Sequence, residues 1–97
     1  MSALIEGAVA ALNEKISGGF DGSAKFVLTG EGAVMVDQDG VRAVDEGEES
    51  EVTMTADPEV FQGIMAGEMD PTGAFMTGQL KIDGDMGAAM RLAGLLG

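Results

Sequence analysis

The carboxylates are the most numerous side chains in this sequence that could take part in chemistry, because Asp and Glu together number 17. Paired carboxylates can act as acid and base when they share a cleft, but no spacing here marks any two as partners. The chain has no histidine and no cysteine, so the commonest acid–base residue and any thiolate are missing. The serines have no histidine to activate them and none begins a Ser-x-x-Lys motif. We therefore expect no catalytic machinery.

Short glycine and acidic patterns do not meet the requirements of a nucleotide or metal site. Gly30-Glu31-Gly32 begins a dinucleotide-like pattern, but Met35 stands where the third glycine belongs. The segment 37–40 is similar to the start of a calcium loop, yet Arg42 occupies the position that requires glycine. The acids from Asp45 to Glu51 favour a solvated connection over a weak cation site. We expect no cofactor and no metal.

The net charge of −12 bears on the partners of the chain. Its five Lys and Arg residues are scattered, so the average field repels phosphate backbones and we expect no nucleic-acid partner. No apolar run approaches the ~20 residues of a bilayer span, and we expect no stable membrane insertion. No basic leader or Ser-Lys-Leu terminus is present, which predicts a cytoplasmic location.

Methionines in the second half of the chain admit two interpretations. They can simply fill an irregular core, or they can line a deformable apolar pocket, because the unbranched thioether side chain repacks easily. An empty pocket of ~300 Å³ would cost ~7 kcal/mol, much of the stability of a small domain. Such a pocket should therefore hold lipid or partly collapse. The methionines concerned are Met54, Met65, Met69, Met76, Met86 and Met90.

The first half is predicted to form a helix followed by strands. The helix would run from a cap at Ser2 to about Ile16 and end at Gly18-Gly19, with Ile5, Ala8, Val9, Leu12 and Ile16 on one stripe. Alternation of apolar residues then predicts strands over 25–29, 34–36, 41–45 and 50–55, forming an antiparallel meander. The Asp39-Gly40 pair is predicted to make a hairpin turn, because both residue types tolerate positive φ.

Two Asp-Pro pairs mark helix starts in the second half. Asp57-Pro58 should open a helix ending near Gly67, and Asp70-Pro71 a shorter one ending at Gly78. A fifth strand over 80–83 precedes a last helix capped by Asp85, with Met86, Ala89, Met90 and Ala93 on one stripe beside Leu92, Leu95 and Leu96. The prediction is a single α+β domain, residues 1–97, with a five-stranded, mainly antiparallel sheet and the helices on one face.

The second half also carries a combination of residues with a known counterpart. Its matching positions are Gly67, Asp70, Pro71, Ala74, Phe75, Gly78, Leu80, Lys81, Ile82, Gly84, Asp85 and Met86. In this pattern the chain resembles the sterol carrier protein type 2 (sterol-binding domain) family, with Gln79 replacing the usual lysine. The upstream helix and glycine-rich strands match in order and length, so the resemblance covers almost the whole chain.

The resemblance implies an apolar tunnel between sheet and helices that holds a fatty acid, an acyl-CoA or a sterol-like lipid. The ligand-binding candidates that it implies are Phe26, Leu28, Met54, Phe61, Ile64, Met65, Phe75, Met76, Leu80, Ile82, Met86 and Met90. Animal members are often basic, whereas this chain is acidic, which favours an uncharged or single-carboxylate lipid over acyl-CoA. The alternative is a non-catalytic interaction module that docks a protein in the same apolar groove. The oligomeric state stays open.

Overall fold

A computed structural model describes residues 3–16 and 18–96 of the chain. The predicted order of helix, four strands, two helices, strand and helix is confirmed. The predicted cap at Ser2 lies outside the described residues. The elements are α1 (Ala3–Lys15), β1 (Ala24–Leu28), β2 (Gly32–Asp37), β3 (Gly40–Val44), β4 (Val52–Ala56), α2 (Pro58–Met65), α3 (Pro71–Met76), β5 (Leu80–Gly84) and α4 (Met86–Leu96).

The sheet has five strands in the order β3-β2-β1-β4-β5. The predicted α+β class with a mainly antiparallel sheet is confirmed, but the four-strand meander is wrong. Only β1, β2 and β3 form a meander, and β4 pairs with β1 in parallel. Alternation along β4 identifies which face is buried and says nothing about which strand lies beside it. The parallel register places Met54 beside Phe26, so the apolar sides of β1 and β4 lie on the same face of the sheet.

The acidic connection between β3 and β4 covers the outer face of the sheet, opposite the helices. Lys25, on that face of β1, is only 7% exposed and donates from Nζ to the backbone carbonyls of Glu46 and Glu48. The carboxylates of these two glutamates remain exposed. The segment was predicted as a simple solvated connection, but its backbone is held to the sheet by this buried ammonium.

The main core lies between the sheet and the helices. Alternate residues of β1 and β4 supply its floor, and α1 packs over β2 and β3 while α4 packs over β4, β1 and β5. Ala88 and Ala89 are fully or nearly fully buried on α4, and their small side chains let that helix lie close to the sheet. The predicted stripe of α4 is therefore shifted, since its buried residues are Ala88, Ala89, Leu92 and Leu96.

Both Asp-Pro pairs start helices as predicted, but only one aspartate acts as the cap. The Asp70 side chain accepts a hydrogen bond from the Gly73 amide at 3.1 Å. Asp57 makes no such bond and instead accepts one from the Thr29 hydroxyl, which ties the start of α2 to the end of β1. Asp85 caps α4 as predicted, with its Oδ1 2.9 Å from the amide nitrogen of Gly87.

The turn between β2 and β3 differs by one residue from the prediction. Asp37 pairs with Gly40, so the two linking residues are Gln38 and Asp39. Only Gly40 takes a positive φ, of 117°, and no non-glycine residue of the described chain does so. The Asp39 amide instead donates to Oδ1 of Asp37 at 3.0 Å, which stabilises the turn without left-handed backbone at Asp39.

Candidate functional site

A narrow apolar cavity lies between the sheet and the helices α3 and α4. Its volume is about 20 Å³, which is enough for about one water molecule and far too small for an acyl chain. Thr72 supplies the only side-chain polar group among the residues that line it. The lining consists of Phe26, Met54, Ile64, Pro71, Thr72, Phe75, Leu80, Ile82, Ala89, Met90, Ala93 and Leu96.

The floor of the cavity is a row of side chains across three adjacent strands. Phe26 on β1 is in register with Met54 on β4, and Met54 is in register with Ile82 on β5. Residues in register on neighbouring strands point to the same face, so the pairing itself brings these three side chains together. Phe75 on α3 and Met90 on α4 lie at the opposite, partly exposed side, with exposed fractions of 39% and 55%.

Part of the predicted set of ligand-binding residues lines this cavity. These residues are Phe26, Met54, Ile64, Phe75, Leu80, Ile82 and Met90. Leu28 is buried in the core at the end of β1, outside the cavity lining. A ligand contact for any of them remains a prediction.

Met76 and Met86 were predicted to line the tunnel and instead lie on the surface, with exposed fractions of 80% and 42%. In α3 the buried side is occupied by Pro71 and Ala74, so Met76 points away from the core. In α4 the alanines take the positions against the sheet, and Met86 lies at the edge of the buried stripe. Helical spacing alone did not reveal this rotation of the two helices.

Phe61 and Met65, also predicted to line the tunnel, border a second space. It is a surface groove of about 600 Å³ between α1 and α2, and Leu4 and Ala8 of α1 form its other wall. The groove is open to solvent, whereas the cavity under α3 and α4 is mostly enclosed. The structure therefore places seven of the predicted lining residues at the cavity and two at the groove, and the other three, Leu28, Met76 and Met86, line neither space.

Several residues that line the cavity were not predicted to do so. Pro71 and Thr72 begin α3, while Ala89, Ala93 and Leu96 form the side of α4 that faces the cavity. The available signal was the alanine-rich composition of the last helix. On the side of α4 that faces the cavity, the small side chains of Ala89 and Ala93 leave a space that bulkier side chains would fill.

The electrostatic character of the cavity is neutral, because none of the lining residues is charged. The pKa of Asp37 is held below its usual value mainly by its hydrogen bonds with the Arg42 guanidinium, but this pair lies on the β2–β3 hairpin, outside the lining. Within the described residues no cluster of Asp and Glu has the arrangement of a metal site. None of the helices in that part of the chain has the length and apolarity of a membrane span.

Comparison with known proteins identifies the family. The model of the SCP-2 sterol transfer family matches residues 5–97. The chain belongs to this family. The family resemblance predicted from the second half of the sequence is thus confirmed, and the match includes every residue that lines the cavity.

Individual members of the SCP-2 family and related structures show how the match is distributed. The chain is 38% identical over 92 residues to hydroxysteroid dehydrogenase-like protein 2 of Xenopus laevis, covering 89% of this chain and 22% of that protein. It thus spans about a fifth of the length of that relative. Sterol carrier protein domain 2 of Helicoverpa armigera is 27% identical, with a TM-score of 0.68 over 95% of this chain and 81% of that one.

A further SCP-2 structure confirms the fold at lower identity. Sterol carrier protein-2 of Aedes aegypti, solved in complex with the C16 fatty acid palmitate, superposes with a TM-score of 0.77. The match covers 99% of this chain and 96% of that chain at 17% identity.

Proposed function

We propose that this chain is a non-catalytic lipid-binding domain that holds one acyl chain, above all that of a fatty acid, between the sheet and α3–α4. The observation that carries the proposal is the cavity itself, with its uncharged apolar lining and its floor of Phe26, Met54 and Ile82. The Aedes aegypti protein, which has the same fold, binds palmitate. Shared fold and an apolar lining together favour the same class of ligand here.

The small volume of the cavity agrees with this function. An empty space of ~300 Å³ would cost ~7 kcal/mol, so a small domain without ligand is expected to be collapsed. An acyl chain gains about 0.8 kcal/mol for each buried methylene, which exceeds that cost for a chain of about 14 methylenes. Met54, Met90 and the half-exposed Phe75 are the side chains best able to move aside, because none is branched at Cβ.

The charges around the cavity favour a fatty acid over its CoA ester. No Lys or Arg lines the cavity, and Asp70 and Asp85 cap the two helices that flank it. The three phosphate groups of CoA would meet an acidic rim on a protein of net charge −12. A single carboxylate can remain in water at the mouth near the Thr72 hydroxyl. We therefore expect palmitate to bind more tightly than palmitoyl-CoA at physiological salt.

The proposal that the domain is non-catalytic rests on the same lining. An acid–base reaction on an apolar substrate would need two acids converging on the cavity, and the lining contains none. The Xenopus laevis relative named hydroxysteroid dehydrogenase-like protein 2 is a longer protein, and this chain covers only 22% of it. In this chain the lining residues provide contact area and exclude water.

The experiment that tests the proposal is displacement of a fluorescent fatty acid by palmitate, combined with native mass spectrometry. The decisive variant is Ala93→Leu, which adds bulk to a half-buried position in the cavity lining. Overpacking costs about 1–3 kcal/mol, so the affinity should fall by about tenfold or more. Ala10→Leu makes the same change at an exposed position of α1 and should leave the affinity unchanged.

Three outcomes would count against the proposal. The first is a wild-type protein that neither brightens the probe nor retains palmitate in the mass spectrometer. The second is equal loss of binding in the Ala93→Leu and Ala10→Leu variants. The third is a lipid-free protein that co-purifies with a partner protein whose binding Ala93→Leu abolishes, which would favour the interaction module instead.

A further inference from the structure

The exposed large apolar side chains of the described chain are confined to two of its four helices. All of them lie on α3 or α4, and they are Phe75, Met76, Met86, Met90 and Leu95. Met76 is 80% exposed and Met90 is 55% exposed, which is unusual for side chains of this size. α1 and α2 expose no large apolar residue within the described chain to a comparable degree.

Two of these side chains line the cavity, and two more lie close to them on the same two helices. Phe75 and Met90 line the cavity from α3 and α4. Met76 follows Phe75, and Met86 lies one helical turn before Met90 on the same side of α4. We call Phe75, Met76, Met86 and Met90 the mouth patch. Leu95 does not belong to it, because nine residues of helix place it about 180° around α4 from Met86.

The mouth patch is uncharged although the protein has a net charge of −12. Within α3 and α4 the sole charged residue is Arg91. Its guanidinium lies 5.8 Å from the centre of the Phe20 ring and donates to the Asp21 carbonyl, so it is engaged beside the chain that leads into β1. The acids that directly precede α3 and α4 in the sequence, Asp70 and Asp85, cap these helices and provide the acidic rim.

We propose that the mouth patch docks on the surface of an electrically neutral, zwitterionic lipid bilayer, from which the acyl ligand enters the cavity. This inference rests on the proposed lipid-binding function. An uncharged apolar patch with an acidic rim is complementary to a bilayer without net charge and is repelled by an anionic one. Phe75 and Met90 then border both the bilayer and the cavity, so an acyl chain passes between them without crossing water.

A lipid surface fits the patch better than a protein does. Specific protein interfaces bury about 800 Å² on each partner and include about one hydrogen bond per 100–200 Å². The patch comprises four side chains, none of which offers a conventional donor or strong acceptor. Methionine side chains adapt to a disordered apolar phase, since they are long and unbranched.

Flotation of the intact protein with vesicles tests the inference. Vesicles of pure phosphatidylcholine are compared with vesicles containing a substantial fraction of phosphatidylserine. The test variants are Met76→Glu and Met86→Glu, at exposed positions outside the cavity lining. The matched control is Leu95→Glu, which makes the same change in charge on an exposed apolar residue of α4 outside the patch.

The wild type and Leu95→Glu should float with phosphatidylcholine vesicles, and the phosphatidylserine vesicles should bind less protein. Each test variant should lower the bound fraction at limiting lipid by about three- to tenfold, because it removes one methionine side chain from the buried apolar area. Palmitate should displace the fluorescent fatty acid from all three variants as it does from the wild type. The proposed function is tested separately. It would be refuted if Ala93→Leu bound palmitate as tightly as the wild type does.

Several results would overturn the inference. They are absence of wild-type flotation with phosphatidylcholine, a preference for anionic vesicles, and test variants that float as the wild type does. Concentration-dependent dimerisation that Met76→Glu and Met86→Glu abolish, without vesicle binding by the wild type, would assign the patch to a second copy of the chain. Capture of a partner protein lost in the same two variants would likewise replace the bilayer as its occupant.

Discussion

The rings of Phe26 and Phe61 meet edge to face, with centroids 5.6 Å apart and an interplanar angle of 68°. Phe26 lines the cavity under α3 and α4, and Phe61 lines the groove between α1 and α2. This aromatic pair therefore stands where the two spaces approach each other. Both rings are buried, at 3% and 4% exposure, so the contact is also part of the core.

Shortening the Phe61 side chain should change the length of ligand that the domain prefers. Phe61→Leu removes the edge-to-face contact and should lower the free energy of unfolding by about 1–2 kcal/mol. The space released joins the cavity to the groove, so affinity should shift toward fatty acids longer than C16 in a displacement series. Phe20→Leu, a buried ring outside both spaces, should lose stability without that shift. An unchanged chain-length preference in Phe61→Leu would contradict this interpretation.

Gly84 is a position where any side chain should destabilise the protein. A Cβ there would lie 2.4 Å from the Glu51 carbonyl oxygen and 3.0 Å from Cα of Val52, at a φ of +115°. We expect Gly84→Ala to lower the free energy of unfolding by about 2–4 kcal/mol, measured by urea denaturation. Gly94→Ala is the control, because a Cβ at that helical position has no neighbour within 4 Å. It should stabilise the protein by up to about 1 kcal/mol, and a loss of similar size in both variants would argue against the steric explanation.

Lys25 should be required to hold the acidic connection to the sheet. Lys25→Met keeps much of the side-chain length but leaves the carbonyls of Glu46 and Glu48 without the ammonium donor. We expect a loss of about 1–3 kcal/mol in unfolding free energy and faster amide hydrogen exchange over residues 45–51. Lys81→Met, at an exposed position of β5, should change stability by less than about 0.5 kcal/mol. Unaltered exchange in Lys25→Met would show that other contacts hold the segment.

The ion pair on the β2–β3 hairpin should contribute to stability in a pH-dependent manner. Arg42 donates to both carboxylate oxygens of Asp37, at 3.0 and 2.9 Å, and lowers the pKa of that carboxyl from its ordinary 3.8. Because the pKa of Asp37 is lower in the folded than in the unfolded protein, its ionised carboxylate stabilises the fold at a pH above the unfolded-state pKa. This contribution is lost as the pH falls through the folded-state pKa. Arg42→Gln should therefore lower stability at pH 7 and have little effect at strongly acidic pH. A deficit of equal size at both pH values would exclude the ion pair as its cause.

Local patterns predicted most of the elements because each depends on a few neighbouring residues. Pro58 and Pro71 mark two helix starts, and alternation identified the buried faces of β1 and β4. The parallel pairing of β4 with β1 was not predictable in this way, because it depends on where the acidic connection crosses the sheet. Lys25 stabilises that crossing by donating to the carbonyls of Glu46 and Glu48. A single lysine in a strand gives no indication in the sequence that it will bind a distant segment.

The candidate site was predicted in part for the same reason. Phe26, Met54 and Ile82 were identified because strand alternation determines the face on which each side chain lies. Met76 and Met86 lie outside the cavity lining, which helical spacing did not reveal because it gives an apolar stripe without its rotation toward the core. That rotation depends on how closely the alanines of α4 approach the sheet, which only the assembled fold determines.

The most direct test of the lipid-binding account is the pattern of intermolecular NOEs between ¹³C-labelled palmitate and the methionine methyl groups. Met54 and Met90 line the cavity, Met65 lines the α1–α2 groove, and Met35 is buried outside the lining of both. The account predicts NOEs from the acyl chain to the methyl groups of Met54 and Met90 and none to Met35. Absence of NOEs to Met54 and Met90, or NOEs to Met65 alone, would contradict it.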